Sequence, residues 1–288
     1  MITPGVVVLA TALFATTVLG VAGACRLCVG PRRMRAVIDR PSWLRRRLRA
    51  AAPSVLVLAG VLVINKGLQG WIDRISHTYG IEATATLHAI EGDLVVALQS
   101  WIPDPAMAYF AAAYVVGYAV LLVTPLVVYL FADRTRPIRV VVAAYAVNYA
   151  VAVVCYAAVV AYGPRNASRA SGGSEADGVL LEIVPEITRL TALVNTNTNV
   201  FPSLHASLSV TVLLVAATTR EEFPRWFGLA AVLAASVVAS TLALGIHWLT
   251  DVVAGVALAV VAVAVACRVV DRQRVDTDDA RHDDRARS

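Results

Sequence analysis

Long apolar blocks separated by short polar segments dominate the chain, and they predict membrane spans. The first block, residues 5–24, holds twenty residues without a charge, the length that a helix needs to cross the hydrocarbon core. No basic residue precedes it and many follow it, the reverse of a secretory signal. We therefore expect a retained first span. Four further single spans are predicted at residues 54–69, 106–131, 140–162 and 204–219.

The last apolar block, residues 227–267, is too long for a single span. Its 41 residues would form a helix of about 61 Å, whereas the hydrocarbon core is about 30 Å thick. The block must fold back, and its polar break falls at residues 245–248, followed by Thr250 and Asp251. A tight turn there divides a sixth span from a seventh.

Arginine placement predicts the topology. Nine arginines lie between Arg26 and Arg49, after the first span, and further arginines follow the third, fifth and seventh spans. Because cytoplasmic loops are enriched in basic residues, we expect the N-terminus outside and the C-terminus in the cytoplasm of a multi-pass cell-membrane protein. The external segments are then residues 70–105, residues 163–202 and the turn before the seventh span.

Composition adds little to this picture beyond excluding some partners. The net charge is +5, but no basic stretch is interleaved with aromatic residues as a nucleic-acid groove requires. The basic segments instead indicate topology and contact with anionic membrane lipids. The four cysteines are scattered and predict no metal site. Nothing in the sequence determines the oligomeric state.

The predicted fold class is an all-α polytopic membrane helix bundle with three regions. Residues 1–53 hold an additional N-terminal span and a basic cytoplasmic loop, residues 54–270 a six-span catalytic domain, and residues 271–288 a charged tail expected to be disordered. Within the external segments, residues 83–98 are expected to form a short surface helix, and the glycine-rich residues 171–174 a mobile loop.

Chemically active side chains concentrate on the predicted outer side. Arg165 follows the fourth span, His205 opens the fifth, and His247 and Asp251 flank the turn between the last two. Ionisable residues in membrane spans are costly and mark functional candidates. The predicted topology brings all four side chains to one interface, although they come from distant stretches of chain.

These residue types suit displacement at phosphorus. Asp251 can accept a hydrogen bond from Nδ1 of His247, which leaves Nε2 free as a nucleophile. His205 can protonate the departing alkoxide, and the guanidinium of Arg165 can hold phosphate oxygens. Ser203 and the N–H groups at the start of the fifth span can add donors, since helix N-termini favour anions.

Structural roles are also compatible with the same residues. His247 and Asp251 can be a polar pair that ties two helices together, His205 a helix cap, and Arg165 a contact with lipid headgroups. The hydroxyl of Thr241 can simply bond to the preceding helical turn.

Two motifs carry a resemblance to the type 2 phosphatidic acid phosphatase superfamily. Residues 202–205, Pro-Ser-Leu-His, resemble its Pro-Ser-Gly-His motif, and residues 240–251, Ser-Thr-x5-His-x3-Asp, resemble its Ser-Arg-x5-His-x3-Asp motif. The resemblance covers the six spans between residues 54 and 267. The Phe-Pro-Ser-Leu-His form and the threonine after Ser240 look more like the inositolphosphorylceramide-synthase-like branch.

The resemblance implies catalysis through a phosphohistidine on His247, with His205 as the acid, Asp251 as the orienting carboxylate, and no metal or other cofactor. It implies a lipid phosphate or isoprenoid phosphate as substrate. The family's first motif, Lys-x6-Arg-Pro, is incomplete here, because residues 136–137 match only in part and lie on the predicted inner side.

Residues 163–165, Gly-Pro-Arg, are the better substitute for that motif. Thr241 replaces the arginine of the third motif. The residues expected to bind phosphate are therefore Arg165, Ser203 and Thr241.

The hypothesis from the sequence is a lipid phosphate phosphatase that acts at the outer face. A phosphotransferase that moves a phosphoryl headgroup between lipid alcohols is the main alternative. A transporter is a weaker one, because proton relays need charges near the midplane and transporters are often built from internal repeats, which are not apparent here.

Overall fold

The structure is a computed structural model, and it describes residues 4–39, 41–170 and 200–287. The glycine-rich segment at residues 171–174, for which the sequence predicts a mobile loop, lies outside the described residues.

Helices account for nearly all of the described chain. They are α1 (Pro4–Val29), α2 (Pro31–Ile38), α3 (Pro41–Tyr79), α4 (Thr84–Glu91), α5 (Leu94–Ser100), α6 (Asp104–Ala112), α7 (Tyr118–Val128), α8 (Arg136–Ala158), α9 (Pro164–Ala170), α10 (Leu204–Thr218), α11 (Pro224–Ala243) and α12 (Leu249–Arg287). A π-helical turn at Ala113–Gly117 joins α6 to α7, and a 3-10 turn at Tyr129–Phe131 follows α7. Two short parallel strands, β1 (Ile81–Glu82) and β2 (Val159–Val160), pair beside the bundle.

Six of the described helical segments are long and apolar enough to cross a membrane, and they include the N-terminal one. They comprise residues 7–29, 42–79, 104–131, 136–158, 224–243 and 249–273. Helix α10 is a shorter apolar helix of 15 residues. This arrangement confirms the predicted all-α polytopic bundle, in which α1 is the additional N-terminal span.

The short helix α10 lies at the centre of the bundle and packs against α7, α8, α11 and α12. Its buried positions carry mainly small or β-branched side chains, which allow neighbouring helices to approach closely. Asn148 of α8 donates to Thr211 of α10 at 3.0 Å and accepts from Ser207. A side-chain amide in a span needs such partners, because lipid offers none, and the three side chains therefore fix how α8 and α10 pack.

Helices α1 and α3 lie at the periphery, with most of their apolar side chains exposed. Helix α3 runs over 39 residues, far beyond the span predicted at residues 54–69. The reason is that an α-helix does not have to end where the hydrocarbon ends. The basic turns that precede residue 54 and the polar turns that follow residue 69 satisfy their backbone hydrogen bonds within the same helix.

The segments that follow the first, third and fifth spans meet at one end of the bundle. Arg33 forms ion pairs with Asp133 at 2.8 Å and with Glu222, and Arg47 donates to the carbonyl of Asp133 at 2.6 Å. Since α10 begins beside His205 and ends near Glu222, this end lies opposite the histidine end.

Two segments differ from the sequence expectation. Residues 83–98 form two helices rather than one, because Gly92 takes φ 56° between α4 and α5. The charged tail was expected to be disordered, whereas α12 continues to Arg287, and near the start of the tail Asp271 pairs with Arg136 at 2.8 Å.

Candidate active site

The turn between α11 and α12 presents His247. Gly245 adopts φ 62°, a conformation that glycine reaches without steric cost. The backbone N–H groups of Ile246 and His247 both donate to the carbonyl of Thr241, at 3.0 and 3.2 Å. This compact turn ends α11 and starts α12 two residues after His247, so the imidazole is held on a backbone that has little freedom.

Asp251 lies directly behind the imidazole. It is fully buried, and His247 is 4% exposed. The distance from Nδ1 of His247 to Oδ2 of Asp251 is 3.5 Å, and the same carboxylate oxygen accepts from the N–H of Trp248 at 2.9 Å. In the second contact, Asp251 is the third residue of α12, and its carboxylate accepts from the N–H of the N-cap residue Trp248, as in a capping box. It fixes the carboxylate where it faces the imidazole, with the far side of the ring directed away from it.

His205 reaches the same place from α10. Ser203 caps that helix, since its hydroxyl accepts from the N–H of Ala206 at 3.2 Å, and its own N–H donates to the carbonyl of Asp251 at 3.0 Å. The ring centroids of His205 and His247 are 6.1 Å apart. A backbone hydrogen bond thus joins the segments that carry the two histidines, and the rings share one end of the bundle.

The two helices approach so closely because α12 carries a glycine at the crossing point. A Cβ added to Gly255 would lie 2.5 Å from the carbonyl oxygen of Ser203, well inside van der Waals contact. Glycine at this position therefore sets the spacing between the two histidine segments.

Arg165 is anchored to the turn that presents His247. Its N–H donates to the carbonyl of Gly245 at 3.0 Å. Two residues earlier, a Cβ on Gly163 would lie 2.0 Å from the carbonyl oxygen of Ile246, so the segment can dock here only with glycine at that position. The structure therefore brings Arg165 together with His205, His247 and Asp251, although 82 residues separate it from His247.

The hydroxyls of Ser203 and Thr241 are engaged in helix structure. Both residues are fully buried. Ser203 caps α10, and Thr241 donates to the carbonyl of Val238 at 2.7 Å, which is the structural role considered in the sequence analysis. Their geometry supports the backbone of the two histidine segments, and their predicted contact with phosphate stays a prediction.

Several residues at the site were not singled out from the sequence. The rings of Tyr114 and Tyr118 lie with their centroids 4.4 Å from that of His205. The side chain of Glu91 accepts from the N–H groups of Leu249 and Thr250 at 2.8 and 2.5 Å and so caps α12. A tyrosine pair four residues apart in an apolar span was a visible signal, whereas nothing distinguished Glu91 from the other acids of its loop.

The first external loop packs against the same turn. Trp248 is 2% exposed, its indole donates to the carbonyl of Tyr162 at 2.8 Å, and the ring of His88 meets it edge-on at 5.9 Å. Leu87 of α4 belongs to the same apolar cluster. The loop therefore stabilises the turn by packing against Trp248.

Among the residues that the structure describes, no three His, Cys, Asp or Glu side chains are grouped so that they could hold a metal ion. Two imidazoles and one carboxylate meet here, and the backbone of Arg165 is bonded to the same turn. This set suits binding of an anion and proton transfer at its oxygens.

Comparison with known proteins matches the chain to a protein family. The family model described as the PAP2 superfamily matches residues 85–265, which include both histidine motifs and the segment of Arg165. No curated protein and no solved structure matches the chain.

Proposed function

The chain belongs to the PAP2 superfamily, and we propose that it is an integral membrane lipid phosphate phosphatase that acts through a phosphohistidine on His247. Members of this superfamily are phosphatases or related phosphotransferases. The substrate that we propose is a lipid phosphate or an isoprenoid phosphate.

One observation carries this proposal: a carboxylate-backed imidazole faces a second imidazole 6.1 Å away, where both can reach one phosphoryl group. Two imidazoles so arranged can divide the work of nucleophile and proton donor. The carboxylate of Asp251 at 3.5 Å from Nδ1 of His247 favours the tautomer that leaves Nε2 unprotonated and directed at the substrate.

In the first step, the lone pair of Nε2 of His247 attacks phosphorus. A P–N bond forms while the P–O bond to the lipid alcohol breaks, and the departing oxygen takes the proton of the His205 imidazolium. Asp251 stabilises the positive charge that develops on His247. The products of this step are the lipid alcohol, the phosphohistidine and a neutral His205.

In the second step, water attacks the phosphohistidine. The neutral His205 accepts a proton from the water as its oxygen bonds to phosphorus, and the P–N bond breaks with its electron pair returning to His247. Inorganic phosphate leaves, and both histidines regain their starting states. Protons and charge balance over the two steps without a further reactant.

Arg165 is proposed to hold the non-bridging oxygens of the phosphoryl group. The planar guanidinium matches two phosphate oxygens at once, and the backbone contact with Gly245 ties it to the nucleophile's turn. The N-terminus of α10 adds partial positive charge at the same place. The guanidinium and the helix N-terminus both stabilise the negative charge on the transferred phosphoryl group more than they stabilise the neutral alcohol.

The site is proposed to face the outside of the cell membrane. The segments that follow the first, third and fifth spans meet at the opposite end of α10, where Arg33 pairs with Asp133 and Glu222. All three segments carry arginines, and basic segments favour the cytoplasm. Cysteine labelling from outside, at positions introduced beside Gly92 and beside Asp133, tests this orientation. A reagent that does not cross the membrane should modify the first position and leave the second unmodified.

Transfer to a second alcohol is the alternative, and the Phe-Pro-Ser-Leu-His form at residues 201–205 favours it. This form resembles the inositolphosphorylceramide-synthase-like branch. In that case a lipid alcohol or polyol replaces water in the second step. Incubation with a labelled lipid phosphate and increasing polyol separates the two activities, since transfer yields a phosphorylated polyol and lowers the release of inorganic phosphate.

The proposal is tested by phosphate release from a panel of lipids in detergent, with and without a chelator. The panel comprises phosphatidic acid, isoprenyl phosphates and diphosphates, and phosphatidylglycerol phosphate. We expect release from at least one of them, with an acid-labile phosphoryl group trapped on the protein at early times.

Two histidine variants complete the test. His247→Ala should abolish both phosphate release and trapping, whereas His77→Ala, at a half-exposed position on α3, should leave both unchanged. Full activity of His247→Ala would refute the mechanism. Flux of a substrate into proteoliposomes without phosphate release would favour the transporter instead.

A further inference from the structure

Two tyrosine rings contact the imidazole of His205. Tyr114 stacks on it with an interplanar angle of 23°, and Tyr118 lies at 38°, each with a centroid distance of 4.4 Å. Tyr114 is buried and packs in a small apolar cluster with Leu244, at the end of α11. Tyr114 thus contacts both the general acid proposed above and the residue at which the turn that carries His247 begins.

The orientation of a histidine ring is not set by its own rotamer. The χ2 torsion of histidine has a broad, roughly two-fold energy profile, so neighbouring groups determine where the ring nitrogens point. A proton donor in catalysis must lie within hydrogen-bonding distance of the oxygen that it protonates, and a misplacement of about 1 Å can cost a factor of about 10² in rate. Flat aromatic contacts restrict ring rotation without taking up a ring nitrogen.

The backbone supplies both tyrosines through an unusual turn. Residues 113–117 form a π-helical turn, in which the N–H of Tyr118 donates to the carbonyl of Ala113, five residues back. Such turns are rare and occur frequently at functional sites. Tyr114 lies within this turn and Tyr118 directly follows it, and both rings reach the same imidazole.

We propose that Tyr114 and Tyr118 form an aromatic clamp that orients His205 for proton donation to the leaving alcohol. The two tyrosines are positioning residues, and their rings rather than their hydroxyls carry the effect. This inference rests on the proposed role of His205 as the general acid.

A clamp that serves proton donation has a signature that a structural role lacks. An alkoxide leaves only if it is protonated as the P–O bond breaks, whereas a nitrophenolate leaves without a proton. Loss of the clamp should therefore slow the cleavage of alkyl phosphates and spare nitrophenyl phosphates. The value of kcat/KM isolates this step, because it reports on events up to the departure of the alcohol.

The experiment uses the full chain in detergent and two phosphate monoesters with alkyl chains of equal length, one an alkyl ester and the other a nitrophenyl ester. For Tyr118→Leu and Tyr114→Leu we expect kcat/KM for the alkyl ester to fall by about 10²-fold, with a change below about threefold for the nitrophenyl ester. The ratio of the two values is taken within each variant, so a partly misfolded preparation lowers both and leaves the ratio intact.

Three controls complete the design. Tyr118→Phe keeps the ring and should restore the ratio. Tyr109→Leu, at an exposed position on α6 that bonds to Ser236, should not change it. His205→Ala should show the same selective loss as the clamp variants.

The outcomes separate the clamp from the proposed function. If His205→Ala slows both esters equally, His205 is not the general acid, and the proposed mechanism fails. If His205→Ala is selective while both leucine variants are not, the clamp alone is wrong. A loss in Tyr118→Phe equal to that in Tyr118→Leu would assign the effect to the hydroxyl and would also overturn the inference.

Discussion

Replacement of Gly255 by alanine is the most direct perturbation of the spacing between the two histidine segments. Gly255 lies on α12, one helical turn after Asp251, and faces the carbonyl of Ser203 on the segment that leads to His205. The substitution adds one methyl group and no polar atom. Its effect should therefore come from the distance between the two backbones rather than from any change in chemistry.

The size of the displacement follows from the structure. The added Cβ would lie 2.5 Å from the Ser203 carbonyl oxygen and 3.2 Å from Cβ of Ala206. An ordinary contact begins at 3.4 Å, so the helices must separate by about 0.9 Å. The hydrogen bond from Ser203 to the Asp251 carbonyl, at 3.0 Å, crosses the same gap and must lengthen or bend.

Such an opening should affect both catalysis and stability. Displacement of catalytic groups by about 1 Å costs about 10²-fold in rate, and we expect a loss of this size in kcat/KM for lipid phosphate hydrolysis. Overpacking of a close contact should lower the free energy of unfolding by about 1–3 kcal/mol. The assays are phosphate release and thermal unfolding of the purified protein in the same detergent.

Gly228→Ala is the matched control for this experiment. Gly228 lies in α11, and a Cβ added there meets no atom within 4 Å. Alanine should therefore stabilise the protein by about 0.5–1 kcal/mol, because it is the better helix former, and should leave activity unchanged. If Gly255→Ala matched Gly228→Ala in both assays, the reasoning that the α10–α12 spacing positions the histidines would be refuted.

Three further predictions follow from single contacts. Asp251→Asn should lower kcat by about 10²–10⁴-fold, because an amide can favour the wrong tautomer of His247. Trapping of the phosphoprotein should fall in parallel, and an unchanged kcat would contradict the orienting role of Asp251. Glu91→Gln should lower the free energy of unfolding by about 1 kcal/mol, because it weakens the cap of α12. Thermal unfolding measures this against the exposed control Asp93→Asn, and equal stability of the two variants would argue against the cap. Asn148→Ala should lower the free energy of unfolding by about 0.5–2 kcal/mol in the same measurement, because the hydroxyls of Ser207 and Thr211 lose their partner. An unchanged free energy of unfolding would show that these hydroxyls find another partner.

The fold class and the number of spans could be predicted from the sequence because both depend on local composition. A bilayer imposes a minimum length on an apolar helix, and the turn near Gly245 follows from the excess length of residues 227–267. The lengths of α3 and α12 could not be predicted in this way. Apolar patterning marks where hydrocarbon begins and ends, whereas a helix continues as long as its backbone hydrogen bonds are satisfied.

The candidate site could likewise be predicted from the sequence only in part. His247 and Asp251 lie four residues apart, so their contact is a local property of one helix start and was visible in the sequence. The meeting of His205 and Arg165 with them was expected from the topology, but their distances depend on close backbone contacts at Gly255 and Gly163. A sequence without coordinates does not show which surface a glycine faces.

Residue type and short-range spacing are thus enough to specify the membrane bundle, the pair of histidine motifs and the chemistry proposed for them. The tertiary structure alone decided which residues hold those groups in place. Glu91 caps a helix that begins 158 residues later, and Tyr114 and Tyr118 pack on an imidazole from another span. Such contacts connect surfaces that chain order does not relate, and only the packing of the helices brings those surfaces together.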